Sequence, residues 1–134
     1  MAPVCLDRQA AARQLRLVRS YVLPDLFAGK VSAALFRKWK NRVKGRDWYD
    51  VAWYIAKRVP LNLEHLVERA KESEPGADVS TPEKVIAAFD EKIASIDFDG
   101  ARADVEPYVV DKSELDIWSA EFFRQTVRHM KFMP

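Results

Sequence analysis

Three residues stand out by type and spacing: Lys30, Asp47 and Asp50. Lys30 sits among apolar positions, between Phe27 and Val31, with Ala34 one turn further on. A lysine so placed either snorkels to water or holds a cation at a half-buried site where a phosphate can accept its charge. Asp47 and Asp50 are three apart, so on a helix they share a face and can aim two carboxylates at one place. Each also has a plain helical role. Asp47 suits an N-cap, and Asp50 suits the first turn, where the helix dipole favours an acid.

Around these residues lies a basic block. From Lys30 to Arg46 there are seven basic residues and no acid, while the rest of the chain holds 15 basic and 20 acidic residues. Arg37, Lys38, Lys40, Arg42, Lys44 and Arg46 surround Trp39 and precede Trp48. Cations interleaved with aromatics suit nucleic-acid phosphates and base stacking, although a solvated helix face and loop have the same composition. Net charge is only +2, so the block is hidden in the total.

Other chemistries leave little trace. His65 and His129 are far apart and neither has a metal-ligand spacing, so a capping or solvent-facing role is the plainer reading. No glycine-rich phosphate loop is present, and Gly29-Lys30 alone is no substitute. Cys5, the single cysteine, has no histidine nearby and reads as an incidental thiol; it excludes an internal disulfide and a multi-cysteine metal site. No metal site is therefore expected in this chain.

The 134 residues, 49% apolar and 31% charged, suit one globular domain or a piece of one. No apolar run approaches the roughly 18 residues of a membrane span, and no signal-peptide core is seen, so a soluble cytoplasmic protein is expected.

Residues 1–12 have no clear period and read as a loose start, leaving 13–134 as the folded portion. Leu15 to Val22 reads as a strand, with Leu15, Leu17 and Tyr21 on one face. Pro24 suits the first turn of a helix whose stripe runs from Leu23 to Trp39. Asn41 to Gly45 forms a basic loop with Gly45 as the breaker, and Pro60 ends the helix that Asp47 begins. Asn62, Ser80-Thr81-Pro82-Glu83 and Ser113 mark three further helix starts, and Phe98 to Val105 fits a short helical turn. The expectation is mainly α: a bundle of about five helices with one N-terminal strand that lacks a partner.

These residues carry a resemblance. Leu23-Pro24-Asp25-Leu26-Phe27-Ala28-Gly29-Lys30, then Ala34-Leu35-Phe36-Arg37, then Lys44-Gly45-Arg46-Asp47-Trp48-Tyr49-Asp50, resemble the AbiEii/AbiGii-type nucleotidyltransferase toxin family. Trp53-Tyr54-Ile55, Pro60-Leu61-Asn62-Leu63 and Asp116-Ile117-Trp118-Ser119 extend the likeness from about Leu15 to the C-terminus.

The resemblance implies the helical C-terminal half of a polymerase-β-like nucleotidyltransferase, of the kind found in toxin–antitoxin and phage abortive-infection systems. By that likeness Lys30 neutralises triphosphate charge, and Asp50 or Asp47 positions the nucleotide or orients the lysine. Arg37, Lys40, Arg42, Lys44 and Arg46 suit nucleotide or RNA binding, with tRNA as a candidate acceptor and a cognate antitoxin as a partner. Mg2+ and a nucleoside triphosphate belong to the complete enzyme. The family's GSxxxxxDxD segment, which carries its metal-binding carboxylates, does not occur in this sequence. The expectations that follow are a truncated product or one half of a split enzyme, inactive alone and paired with an N-terminal nucleotidyltransferase half. The alternatives are a non-enzymatic RNA- or protein-binding module, or a decayed remnant.

Overall fold

Residues Ala10 to Leu17 are nearly all strong helix formers, and the backbone is helical from Arg8 through Phe36 (α1). The computed structural model describes the backbone of residues 8–37 and 45–134, with side chains from residue 22 onward within those ranges. Leu15 to Val22, expected as a strand, is therefore helix. Alternation and β-branching there compete with the alanine-rich run just upstream, and β propensity is the weaker, more context-dependent signal. No unpaired strand needs to be explained. Pro24 lies inside α1 rather than at its start. It removes one helical hydrogen bond, yet the helix continues, and its carbonyl accepts from the Asn62 amide at 3.3 Å. The faces of Leu15, Leu17 and Tyr21, residues 38–44 with most of the expected basic loop, and Cys5 fall outside the described residues.

Five more helices follow: α2 Gly45–Ala56, α3 Leu63–Ser73, α4 Pro82–Ile93, α5 Phe98–Val105 and α6 Ala120–Val127. Among the described residues the class is mainly α, as expected, with six helices. Asn62 caps α3 by accepting from the His65 amide at 3.2 Å, and Thr81 caps α4 with Pro82 as its first residue. Phe98 to Val105 is a full helix capped by Asp97. Ser113 does not open the last helix; it lies in a 3-10 turn, Lys112–Leu115, and Ser119 caps α6 instead. The sheet is a two-residue parallel pair, β1 Pro60–Leu61 against β2 Lys131–Phe132, which ties the C-terminal tail to the end of α2.

The core gathers around Trp48 of α2. Its ring meets Phe89, Phe98 and Phe123 edge-on at 5.3 to 5.8 Å, joining α4, α5 and α6 to one side chain. Such pairs each contribute about 0.5–1.5 kcal/mol beyond their buried area. Val51 and Ile55 extend this buried face along α2.

Gly45 fixes how closely α2 approaches α5. A methyl group on it would lie 1.9 Å from the Ala101 carbonyl oxygen, so only a bare Cα fits. Its amide also donates to Asp104 Oδ2 at 3.1 Å. Gly45, expected as the breaker at the end of a basic loop, is instead the first residue of α2, and what demands glycine there is packing. Gly45→Ala should destabilise the fold by about 1–3 kcal/mol in urea unfolding. If α2 did not press on α5, the same change would stabilise by up to about 1 kcal/mol through helix propensity.

Candidate functional site

Helix α2 divides its surface by spacing. Trp48, Val51 and Ile55 enter the core; Asp47, Asp50 and Tyr54 face α1. Three cross-contacts fix the pairing of these helices. Arg37 Nη1 meets Asp47 Oδ1 at 3.6 Å, Lys30 Nζ meets Asp50 Oδ2 at 2.9 Å, and the Phe27 and Tyr54 rings stack at 5.2 Å. Positions fall along α1 as they rise along α2, so the helices run antiparallel.

Of the three residues singled out by type and spacing, Lys30 and Asp50 meet directly, while Asp47, one turn earlier on α2, pairs with Arg37 instead. Lys30 keeps 42% of its side chain exposed and Asp50 keeps 24%, so the pair is held by the fold yet open to solvent. Asp47 is almost covered, with 11% of its side chain exposed. It stands in the first turn of α2 rather than at its cap, where both Arg37 and the helix dipole favour its charge. Arg37 and Arg46 are exposed. Lys40, Arg42 and Lys44 lie outside the described residues.

Neighbouring groups hold this hairpin in place. The Asn62 amide group donates to Asp25 Oδ1 at 2.6 Å, fastening the start of α3 to α1 just before the lysine turn. Tyr49 donates to Glu114 Oε2 at 2.9 Å, tethering α2 to the 3-10 turn. That hydrogen bond, then burial and nearby negative charge, pushes the Tyr49 phenol above its ordinary 10.0, so it stays a donor at neutral pH. Sequence spacing had marked Asn62 only as a cap, and nothing local pointed to Tyr49 or Glu114, 65 residues apart.

Exposed apolar residues adjoin the pair. Leu26 is one turn before Lys30 on α1, and Trp53 one turn after Asp50 on α2; both are nearly half exposed. In an antiparallel hairpin these positions lie beyond the pair at the same end. Lys57 stacks its ammonium over Trp53 at 5.8 Å from the ring centre.

A cleft of about 770 Å³ lies elsewhere, between the end of α1, the α3–α4 loop and α4, and neither Lys30 nor Asp50 lines it. Asp78 on its wall is held at about 2 by hydrogen bonds from Lys84 and Ser80, which anchor the loop to α4. It is a structural tie, with its carboxylate already engaged.

The donor set does not suit a divalent metal. Asp47 and Asp50 each face a cation, and no group of three or more His, Cys, Asp or Glu among the described residues is placed to hold an ion. No described helix is long and apolar enough to cross a membrane.

Residues 3–126 match the family described as nucleotidyl transferase AbiEii toxin, type IV toxin–antitoxin system. The chain belongs to that family, and so to the nucleotidyltransferase-like toxins. No curated protein and no solved structure matches it.

The Lys30–Asp50 bridge is partly solvated, so its share in stability should be small. In a double-mutant cycle with Lys30→Met and Asp50→Asn, urea unfolding should give a coupling of about 0.2–1 kcal/mol. A coupling of about 3 kcal/mol would mark the pair as a structural strut instead.

Proposed function

We propose that this chain supplies the phosphate-recognition side of a nucleotidyl-transfer centre. Lys30 meets the triphosphate, and Asp50 holds the ammonium in place while the nucleotide is absent. A cation fixed in position before the charge arrives stabilises a phosphoryl transition state without reorganisation. Arg37, Arg46 and the basic residues between them then suit the phosphates of an acceptor RNA, tRNA among them. The observation that carries this reading is the 2.9 Å pairing of a half-exposed lysine with Asp50, in a member of a nucleotidyltransferase toxin family.

Carboxylates for Mg2+ must come from outside the described residues on this reading, in the form of a GSxxxxxDxD-bearing segment or partner. Such an ion would supply the charge stabilisation that Lys30 alone does not. An antitoxin is the protein partner that the type IV system suggests, and the exposed Leu26 and Trp53 beside the pair suit a protein contact there. A second reading is a binding module without chemistry, for RNA or an acidic protein; the exposed Arg37 and Arg46 favour it.

The test combines the chain with a GSxxxxxDxD-bearing segment from the family, Mg2+, labelled nucleoside triphosphates and tRNA. Label transfer should occur, and Lys30→Ala should lower it by about a hundredfold or more while leaving the fold intact. Transfer by Lys30→Ala at the wild-type rate would remove the lysine from the mechanism.

A further inference from the structure

The C-terminal end of α2 carries another cationic feature, independent of Lys30. A groove of about 660 Å³ opens between the end of α2, α6 and the tail. Ala52 and Ala56 line it, and at about 100° per residue they lie roughly opposite Asp50 on α2. Arg58, Arg128, His129 and Lys131 form its polar wall, Ile55 and Phe122 its apolar floor. No carboxylate among the described residues lines it. Arg128 donates to Asp90 Oδ2 at 3.2 Å and to the Arg124 carbonyl at 2.6 Å. Arg128 is thereby oriented, while Arg58 and Lys131 meet no carboxylate among the described residues.

Arg58 adds a second, separate observation. Its φ is 60°, the left-handed region, the single such case among the described non-glycine residues. It closes α2 in the double-bonded manner usually reserved for glycine: the Val59 amide donates to the Tyr54 carbonyl at 3.1 Å and the Arg58 amide to the Ile55 carbonyl at 3.0 Å. A β-carbon is unfavourable at that position, whereas glycine fits freely. A side chain kept where backbone energetics prefer none, and set beside uncompensated charge, points to use of the side chain.

We propose that this groove binds a nucleotide phosphate. Arg58, Lys131 and the oriented Arg128 take the phosphate oxygens, and the base lies on Phe122 and Ile55. Arg suits this role through its fork of donors, and the aromatic face accepts any base. A free nucleotide and a nucleotide unit of an RNA strand present the same chemistry, and the test separates them.

The experiment is an amide-resolved NMR titration of the full chain at low salt with ATP, with a short mixed-sequence single-stranded RNA and with inorganic phosphate. Saturable shifts are expected at Arg58, Thr126, His129 and Lys131, with ATP or RNA bound more tightly than phosphate. Saturation by RNA alone assigns the strand as the ligand; saturation by ATP assigns the free nucleotide.

Arg58→Gly should weaken binding about five- to tenfold, while the melting temperature stays level or rises by a few degrees. Lys131→Gln should weaken binding similarly, and Arg58→Lys should restore part of it. No shifts at these amides with ATP or RNA would overturn the proposal. So would unchanged affinity in Arg58→Gly and Lys131→Gln, or inorganic phosphate binding as tightly as ATP and RNA.

Discussion

The position of α2 is the constraint from which the rest follows. One helix of 12 residues serves two partners: Trp48, Val51 and Ile55 build the aromatic core, while Asp47, Asp50 and Tyr54 meet α1. Its first residue must be glycine because the Ala101 carbonyl occupies the space of a side chain. Rotating α2 to relieve that contact would turn Trp48 out of the core and carry Asp50 away from Lys30. The geometry of the candidate site is therefore maintained by hydrophobic packing several residues away. The ion pair itself contributes little to it, since both groups retain access to water. On the proposed reading, such an arrangement lets Lys30 exchange its carboxylate partner for a phosphate.

Much of this was legible in the sequence where the signal is local. The spacing of Asp47 and Asp50, and the setting of Lys30 among apolar neighbours, marked three residues that the fold brings to one hairpin. Asn62 and Thr81 announced their helices by side-chain capping, a contact that spans three residues. Leu15 to Val22 misled because its alternation fits a strand, and because Pro24 fits a helix start as well as an interior turn. Ser113 misled in the same way: its pattern suits a cap, and the chain uses it in a 3-10 turn ahead of Ser119, the residue that caps α6. A short cap motif says that a turn begins and does not say how far it continues.

Other features depend on contacts between distant residues. The parallel pair of Pro60–Leu61 with Lys131–Phe132 joins segments about 70 positions apart, and neither looks like a strand alone. Tyr49 with Glu114 and Gly45 with Asp104 belong to the same class. Arg58 shows the converse. A lysine-arginine pair before Val59-Pro60 reads as an ordinary helix end, and only the backbone reveals that its arginine stands where glycine is preferred.

The central claim is that Lys30 is placed to act on phosphate and that Asp50 keeps it there. Exchanging the two, Lys30→Asp with Asp50→Lys, preserves the ion pair but presents the ammonium from α2. Chemistry of this kind loses about a hundredfold when a group is misplaced by about 1 Å. The measurement is nucleotide transfer by the exchanged variant in the reconstituted system, alongside its unfolding free energy. Stability within about 1 kcal/mol of wild type, with transfer still as low as in Lys30→Ala, is the expected result. Transfer restored to the wild-type rate by the exchange would contradict the account, since a bridge that works in either direction is a strut rather than a site.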